Sequence, residues 1–197
     1  MSLRQPVLAD VGWRARLGHG VAGTGDQGER RPAAGLQVPR HTIRLVASPA
    51  NRRPRPIALC VVWRRREILV FEGRDPVDGR SFYRPLGGGV EWRELSRAAV
   101  ARELQEELGT DLEDVRLLGV LENVFTYAGT DLHEIAFIYE GRLSDGSLYE
   151  RDRLLAVEAG GDPLTAVWMP VERFGPGGAT LYPDGLLELV REGTTSG

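Results

Sequence analysis

The alternation of apolar and polar positions changes character at about residue 56. From there to about residue 191 it reads as one compact α/β domain. Ile57 to Trp63 is a short apolar run closed by Arg64-Arg65-Arg66, and Glu67 to Phe71 follows directly, which predicts a strand pair joined by that basic turn. Asp75 to Gly79, with Pro76 and an Asp-Gly pair, is a polar loop that precedes a predicted strand at Phe82 to Arg84. The period then lengthens. Val100, Leu104 and Leu108 fall at i, i+4 and i+8, the stripe of a helix from about Leu95 to Leu108, with Gly109 as its stop. Strands are predicted at Val115 to Glu122, Val124 to Tyr127, Glu134 to Gly141 and Ala166 to Met169, with a turn at Ala128-Gly129-Thr130. Pro170 leads into a short helix, and Leu186 to Arg191 closes the pattern as another. The fold class is α/β in the broad sense, with segregated α+β character.

Residues 1 to about 40 lack this periodicity. Gly18-His19-Gly20-Val21-Ala22-Gly23-Thr24-Gly25 lies in a Gly-, Ala- and Arg-rich stretch, expected to be a poorly ordered extension or the product of an upstream start, with the domain spanning 41–197. An organelle leader would be Arg-rich and acid-poor, and Asp10, Asp26 and Glu29 weigh against that reading. His41 to Val46 is a candidate strand at the domain edge. Composition is that of a globular protein, 42% hydrophobic and 27% charged, and the formal charge of −3 offers no overall attraction to nucleic acid or an anionic membrane. All 25 basic residues are Arg, so Schiff-base and lysine-based phosphate chemistry are excluded. Cys60 is the single cysteine, which rules out an internal disulfide or a cysteine metal cluster. With no long apolar run, no membrane partner is expected and the location expected is cytoplasmic.

The chemistry concentrates between Gly88 and Thr110. Gly88 is followed by Glu94 and then by Arg102-Glu103-Leu104-Gln105-Glu106-Glu107-Leu108-Gly109-Thr110. A helix turns roughly 100° per residue, so Glu103, Glu106 and Glu107, at i, i+3 and i+4, share one face. Like charges so placed repel. Oxygen ligands crowded together suit a hard cation, Mg²⁺ or Mn²⁺. The plainer reading is a solvated acidic face, but it has no place for Gly88 and Glu94 at their spacing. Upstream, Pro85-Leu86-Gly87-Gly88-Gly89 reads as a glycine turn whose backbone approaches a ligand closely.

This arrangement resembles the signature box of the Nudix hydrolases. The resemblance implies a mixed β-sheet sandwiched between helices over about residues 56 to 191. It also implies cleavage of a diphosphate bond with Mg²⁺ or Mn²⁺. Carried over residue by residue, it makes Glu103, Glu106 and Glu107 metal ligands, with the Gly87 carbonyl completing the shell. Glu94 would pair with Arg102 and orient the carboxylates. Glu103 is the expected base, a role that some members give to a later loop. Catalysis is thereby assigned to Glu103, Glu106, Arg102 and Glu94. A further ligand would come from downstream, Glu158 or else Glu134, although an ordinary surface carboxylate is an equal reading of each. Two departures stand out: Thr110 replaces an aliphatic residue, and Pro-Leu-Gly-Gly-Gly replaces Pro-Gly-Gly.

Substrate contacts are expected from Arg84, near the glycines, and more loosely from Arg74, for which a solvated loop position is the plainer reading. Phe82, Tyr83, Phe125 and Tyr127 can stack on a base, though strand aromatics are more often core. Tyr127 lies 17 residues beyond Thr110, an offset that resembles Nudix enzymes of dinucleoside polyphosphates. His133 beside Glu134 has no nucleophile motif to work with, and Trp63, Trp92 and Trp168 read as packing residues. Two functions remain: a metal-dependent pyrophosphohydrolase on a nucleotide derivative, including dinucleoside polyphosphates or nucleoside triphosphates, and a non-hydrolysing nucleotide sensor. The intact carboxylates argue for the first. A diphosphate isomerase lacks the Cys/Glu chemistry it needs, since Cys60 lies upstream in an apolar strand. Loops at 74–81, 128–133 and 143–161 are where specificity is expected, and an exposed edge strand is a candidate homodimer contact.

Overall fold

The computed structural model describes residues 53–157 and 163–194. The expected extension over 1–40, the candidate strand at 41–46 and Glu158 lie outside them. Seven strands, β1 (Arg55–Arg64), β2 (Glu67–Arg74), β3 (Ser81–Gly89), β4 (Leu112–Tyr127), β5 (Thr130–Leu143), β6 (Arg153–Val157) and β7 (Pro163–Pro170), form one mixed sheet in the order β4-β5-β1-β3-β2-β7-β6. Helix α1 (Ser96–Leu108) and helix α2 (Leu186–Thr194) pack against it.

Strand β1 explains why the sheet has two covered faces. Ala58, Cys60 and Val62 belong to a core with Val100 and Leu104 of α1, while Ile57, Leu59 and Val61 belong to a second core with Leu186 and Val190 of α2. A strand buried on both sides reads as a continuous apolar run rather than an alternating one. The expected sheet between helices is therefore present.

Three local expectations are corrected. The two strands drawn at Val115 to Glu122 and Val124 to Tyr127 are one strand, β4, which pairs with β5 through register shifts between Glu113 and Arg116 and between Leu117 and Gly119. Asn123 is the residue read as the break; its polar side chain is buried within the strand instead. The glycine run is not a turn either, because Gly87, Gly88 and Gly89 end β3 opposite Leu59, Ala58 and Ile57. Finally, β6 lies within the segment read as a loop. Leu154 and Ala156 point inward there, but Leu155 is 83% exposed, so apolar residues on both faces hide the alternation.

Strand β3 is shared between neighbours, and this positions the site. Its first half pairs with β2 and its second half with β1. On the edge that β1 leaves open, Tyr83 bridges to Leu181, with Tyr83 N–H donating to the Thr180 carbonyl (2.8 Å) and Tyr182 N–H donating to the Tyr83 carbonyl (2.8 Å). The segment entering α2 is thereby laid along β3.

Candidate active site

The glycines set how closely α1 approaches β3. Gly87 has φ of 121°, and a Cβ there would stand 2.2 Å from the Ala58 carbonyl oxygen, so no other residue fits. A Cβ on Gly88 would meet the Glu103 carboxyl carbon at 2.5 Å; the bare backbone is what lets that carboxylate lie against the strand. Beside it, the Gly87 N–H donates to Glu107 Oε2 (3.0 Å). Glu103 and Glu107 are thus buried on the face that also carries Val100 and Leu104. Glu106, on the same face, keeps its side chain 48% exposed. The helix ends at Gly109, whose φ of 69° suits glycine and whose N–H donates to the Gln105 carbonyl (3.0 Å).

Arg102 collects these carboxylates. Its Nε and Nη2 donate to the two oxygens of Glu94 (2.9 and 3.0 Å), Nη1 to Glu103 (3.0 Å) and Glu106 (3.2 Å), and Nη2 also to the Gly89 carbonyl (3.0 Å). A fork of fixed donors matches a carboxylate edge to edge. Hydrogen bonds from Arg102 hold Glu94 below the ordinary carboxylate range, and Glu94 in turn pushes the Arg102 pKa upward. The expected Glu94–Arg102 contact is present. Glu94 also accepts from the Glu91 N–H (2.9 Å), closing a tight turn at Trp92-Arg93 in which Arg93 adopts φ of 67°. Thr110, the departure from the family pattern, is buried: its hydroxyl lies 3.2 Å from Ser144 Oγ and accepts from the Asp145 N–H (3.1 Å), tying the end of α1 to the loop after β5.

The expected substrate residues separate into different surroundings. Arg84 is buried, donates from Nη2 to the Gly87 carbonyl (2.6 Å) and lies over the Phe71 ring at 5.6 Å, while its Nε has no partner. Arg74 donates to the Gly79 carbonyl (3.0 Å) and closes its own loop. Tyr127 is buried, with its hydroxyl donating to the Arg74 carbonyl (3.3 Å) and its ring edge-on to Phe82 at 6.1 Å. Packing describes Tyr127 better than base stacking does. His133 sits 2.8 Å from Glu122 on the outer part of the β4–β5 hairpin.

A further cluster joins the site. Glu134, 1% exposed, sits 3.4 Å from Arg55 Nη1 and accepts from the Tyr182 hydroxyl (3.0 Å). Tyr182 packs edge-on to Phe125 (4.9 Å) and Phe82 (6.0 Å). Asn123, opposite Glu134 in the β4–β5 register, accepts from the Asp184 N–H (2.9 Å) and leaves its buried Nδ2 without a partner. Arg55 drew no attention in the sequence, Asn123 only as the gap between two expected strands, and Tyr182 only as part of a turn near the substrate mouth. Nothing local marks them, because each acquires its neighbours from a distant strand.

The family model for the NUDIX domain matches residues 53–188. This chain belongs to the Nudix family. A MutT Nudix hydrolase from Burkholderia pseudomallei is 25% identical over 72% of this chain and 98% of its own, with a TM-score of 0.50. A Nudix hydrolase from Nitrosomonas europaea is 18% identical over 73% and 90% with a TM-score of 0.51, and a UDP-X diphosphatase is 13% identical over 78% and 68% with a TM-score of 0.51; these two share the fold.

In this Nudix domain the donor chemistry suits a hard divalent ion. Glu103, Glu106, Glu107 and the Gly87 carbonyl are all oxygen donors. Among the described residues no three His, Cys, Asp or Glu side chains are gathered closely enough to enclose an ion. Of the three carboxylates Glu106 is the exposed one, in contact with Arg102 at 3.2 Å. The Gly87 carbonyl has two lone pairs, and Arg84 uses one. Glu103, Glu106, Glu107 and that carbonyl are the groups that would hold such an ion. Among the described residues no helix is long and apolar enough to cross a membrane.

Proposed function

We propose that this Nudix enzyme hydrolyses the diphosphate bond of a nucleoside diphosphate derivative by water attack at phosphorus, assisted by Mg²⁺ or Mn²⁺. The observation that carries the proposal is the pair of buried carboxylates, Glu103 and Glu107, held against the bare backbone of Gly87 and Gly88. Buried carboxylates gathered at one surface cost stability unless something cationic meets them. Arg102 offsets part of that charge, and a divalent ion would offset the rest.

Glu103, Glu106, Glu107 and the Gly87 carbonyl would hold the ions, with Glu158 as a further donor. When bound, such ions mask the phosphate oxygens and lower the pKa of water. Glu103 then takes a proton from the attacking water. A new P–O bond forms as the bridging P–O bond breaks, leaving two phosphate-bearing products. Glu94 and Arg102 keep the carboxylates aligned throughout. Dinucleoside polyphosphates and nucleoside triphosphates are the substrates proposed first. The reaction is proposed to take place in the cytoplasm.

The decisive experiment incubates nucleoside triphosphates, dinucleoside polyphosphates, ADP-ribose and nucleotide sugars with the protein in Mg²⁺, in Mn²⁺ and in chelator, beside Glu107→Gln. Metal-dependent release that the variant abolishes supports the reading. Tight nucleotide binding without release from any of them would overturn it in favour of a sensor.

A further inference from the structure

The two arginines expected to meet substrate have protein partners, Arg84 in the Gly87 carbonyl and Arg74 in its own loop, and Arg102 is engaged by three carboxylates. Arg55 differs from all of them. It stands at the start of β1, where Arg55 aligns with Glu134 and Ile57 with Gly89, and its side chain is 43% exposed. A Cβ on Gly89 would lie 3.6 Å from Arg55 Nη2, so the guanidinium rests over the last glycine of the run that receives Glu103. Among the described residues its one hydrogen-bond partner is Glu134, at 3.4 Å. Its other N–H donors have no hydrogen-bond partner among the described residues, at the rim of the carboxylate cluster.

Its support is rigid. Glu134 is buried, and its other oxygen takes the Tyr182 hydroxyl, whose ring is wedged between Phe82 and Phe125. Partial burial draws the Arg55 pKa down and Arg84 adds to this, while Glu134 and Glu103 oppose it, which places both the second arginine and the catalytic carboxylate within its field. Buried Arg84 Nε and Asn123 Nδ2 are donors left without acceptors near the same cluster. Donors in excess beside the acidic face call for an anionic ligand.

We propose that Arg55 positions a phosphate of the substrate beside Glu103, with Glu134 and Tyr182 holding its guanidinium in place. This rests on the hydrolase reading above. Arg55 is then a substrate-contacting residue, and Glu134 and Tyr182 are positioning residues that act through it. The fork matters as well as the charge, because a planar guanidinium can take two phosphate oxygens at once.

The test measures binding of imidodiphosphate, a non-hydrolysable analogue of pyrophosphate, to the full chain in Mn²⁺, together with KM and kcat on whichever nucleotide is hydrolysed. Arg55→Ala should weaken binding by roughly tenfold or more, as for a lost charge-assisted hydrogen bond. KM should rise more than kcat falls, with binding and rates read per folded molecule because buried Glu134 loses its cationic partner and the melting temperature should fall. Arg55→Lys should recover only part of the affinity, and Tyr182→Phe should weaken binding less than Arg55→Ala does. If the wild type binds and Arg55→Ala binds equally well, the proposal is overturned while the hydrolase reading stands. A variant that loses stability yet binds normally per folded molecule overturns it too. A wild type that neither binds nor hydrolyses defeats the hydrolase reading and this proposal together.

Discussion

Two helices cover the same sheet in different ways. α2 follows the ordinary rule: Leu186 and Val190 are fully buried, and Glu188 and Arg191 face outward. α1 buries Val100 and Leu104 but buries Glu103 and Glu107 with them, and Leu95, the residue before it, provides no side-chain cap. Apolar burial contributes stability on both faces. On the α1 face part of that gain is offset by crowded charge. The comparison teaches that α2 is built to hold the sheet together, whereas α1 gives up some stability to present carboxylates at a glycine backbone.

Substitutions on the α1 face should separate activity from stability most sharply. Glu107→Gln is expected to lower kcat by orders of magnitude while thermal unfolding shifts little or upward, because Gln still accepts the Gly87 N–H and carries no charge. Unfolding with unchanged activity per folded molecule would break the comparison. Gly88→Ala comes next. Its Cβ would stand 2.5 Å from the Glu103 carboxyl carbon, and displacing the carboxylate by about 1 Å should cost on the order of 100-fold in kcat/KM; a variant as active as the wild type would show that Glu103 is not held there for chemistry.

On the opposite face the expectation reverses. Leu186→Ala should cost about 2–5 kcal/mol in denaturant unfolding while leaving KM and kcat of the folded fraction near wild-type values. The smallest effect concerns pH. Glu94 is held below its ordinary value of about 4.5 by Arg102. Its contribution is present above that value and lost as pH falls through the depressed folded-state pKa. Glu94→Gln should therefore flatten the fall in stability just below pH ~4.5, and melting curves that decline in parallel for both proteins would show that the pairing carries no linkage.

Legibility in the sequence followed locality. The carboxylate face of α1 was readable because i, i+3 and i+4 positions share a side of any helix, and the Glu94–Arg102 contact spans only a turn and two helical turns. The glycine run was visible as chemistry but misread as a turn, because its pairing with β1 depends on a strand nearly thirty residues earlier. Asn123 looked like a strand break for the same reason: a buried polar residue is tolerable in β4 only because the Asp184 N–H arrives to meet it. Leu155 hid β6 by facing solvent.

The amino-acid order alone thus determined the acidic helix face, the family and the apolar runs that become strands, since each depends on side-chain spacing within one element. Only the tertiary structure decided that Arg55, Asn123, Glu134 and Tyr182 stand together. Arg55 and Tyr182 are 79 and 48 residues from Glu134, and neither spacing nor composition encodes a meeting produced by the parallel β1–β5 register and a chain segment laid along the open edge of β3.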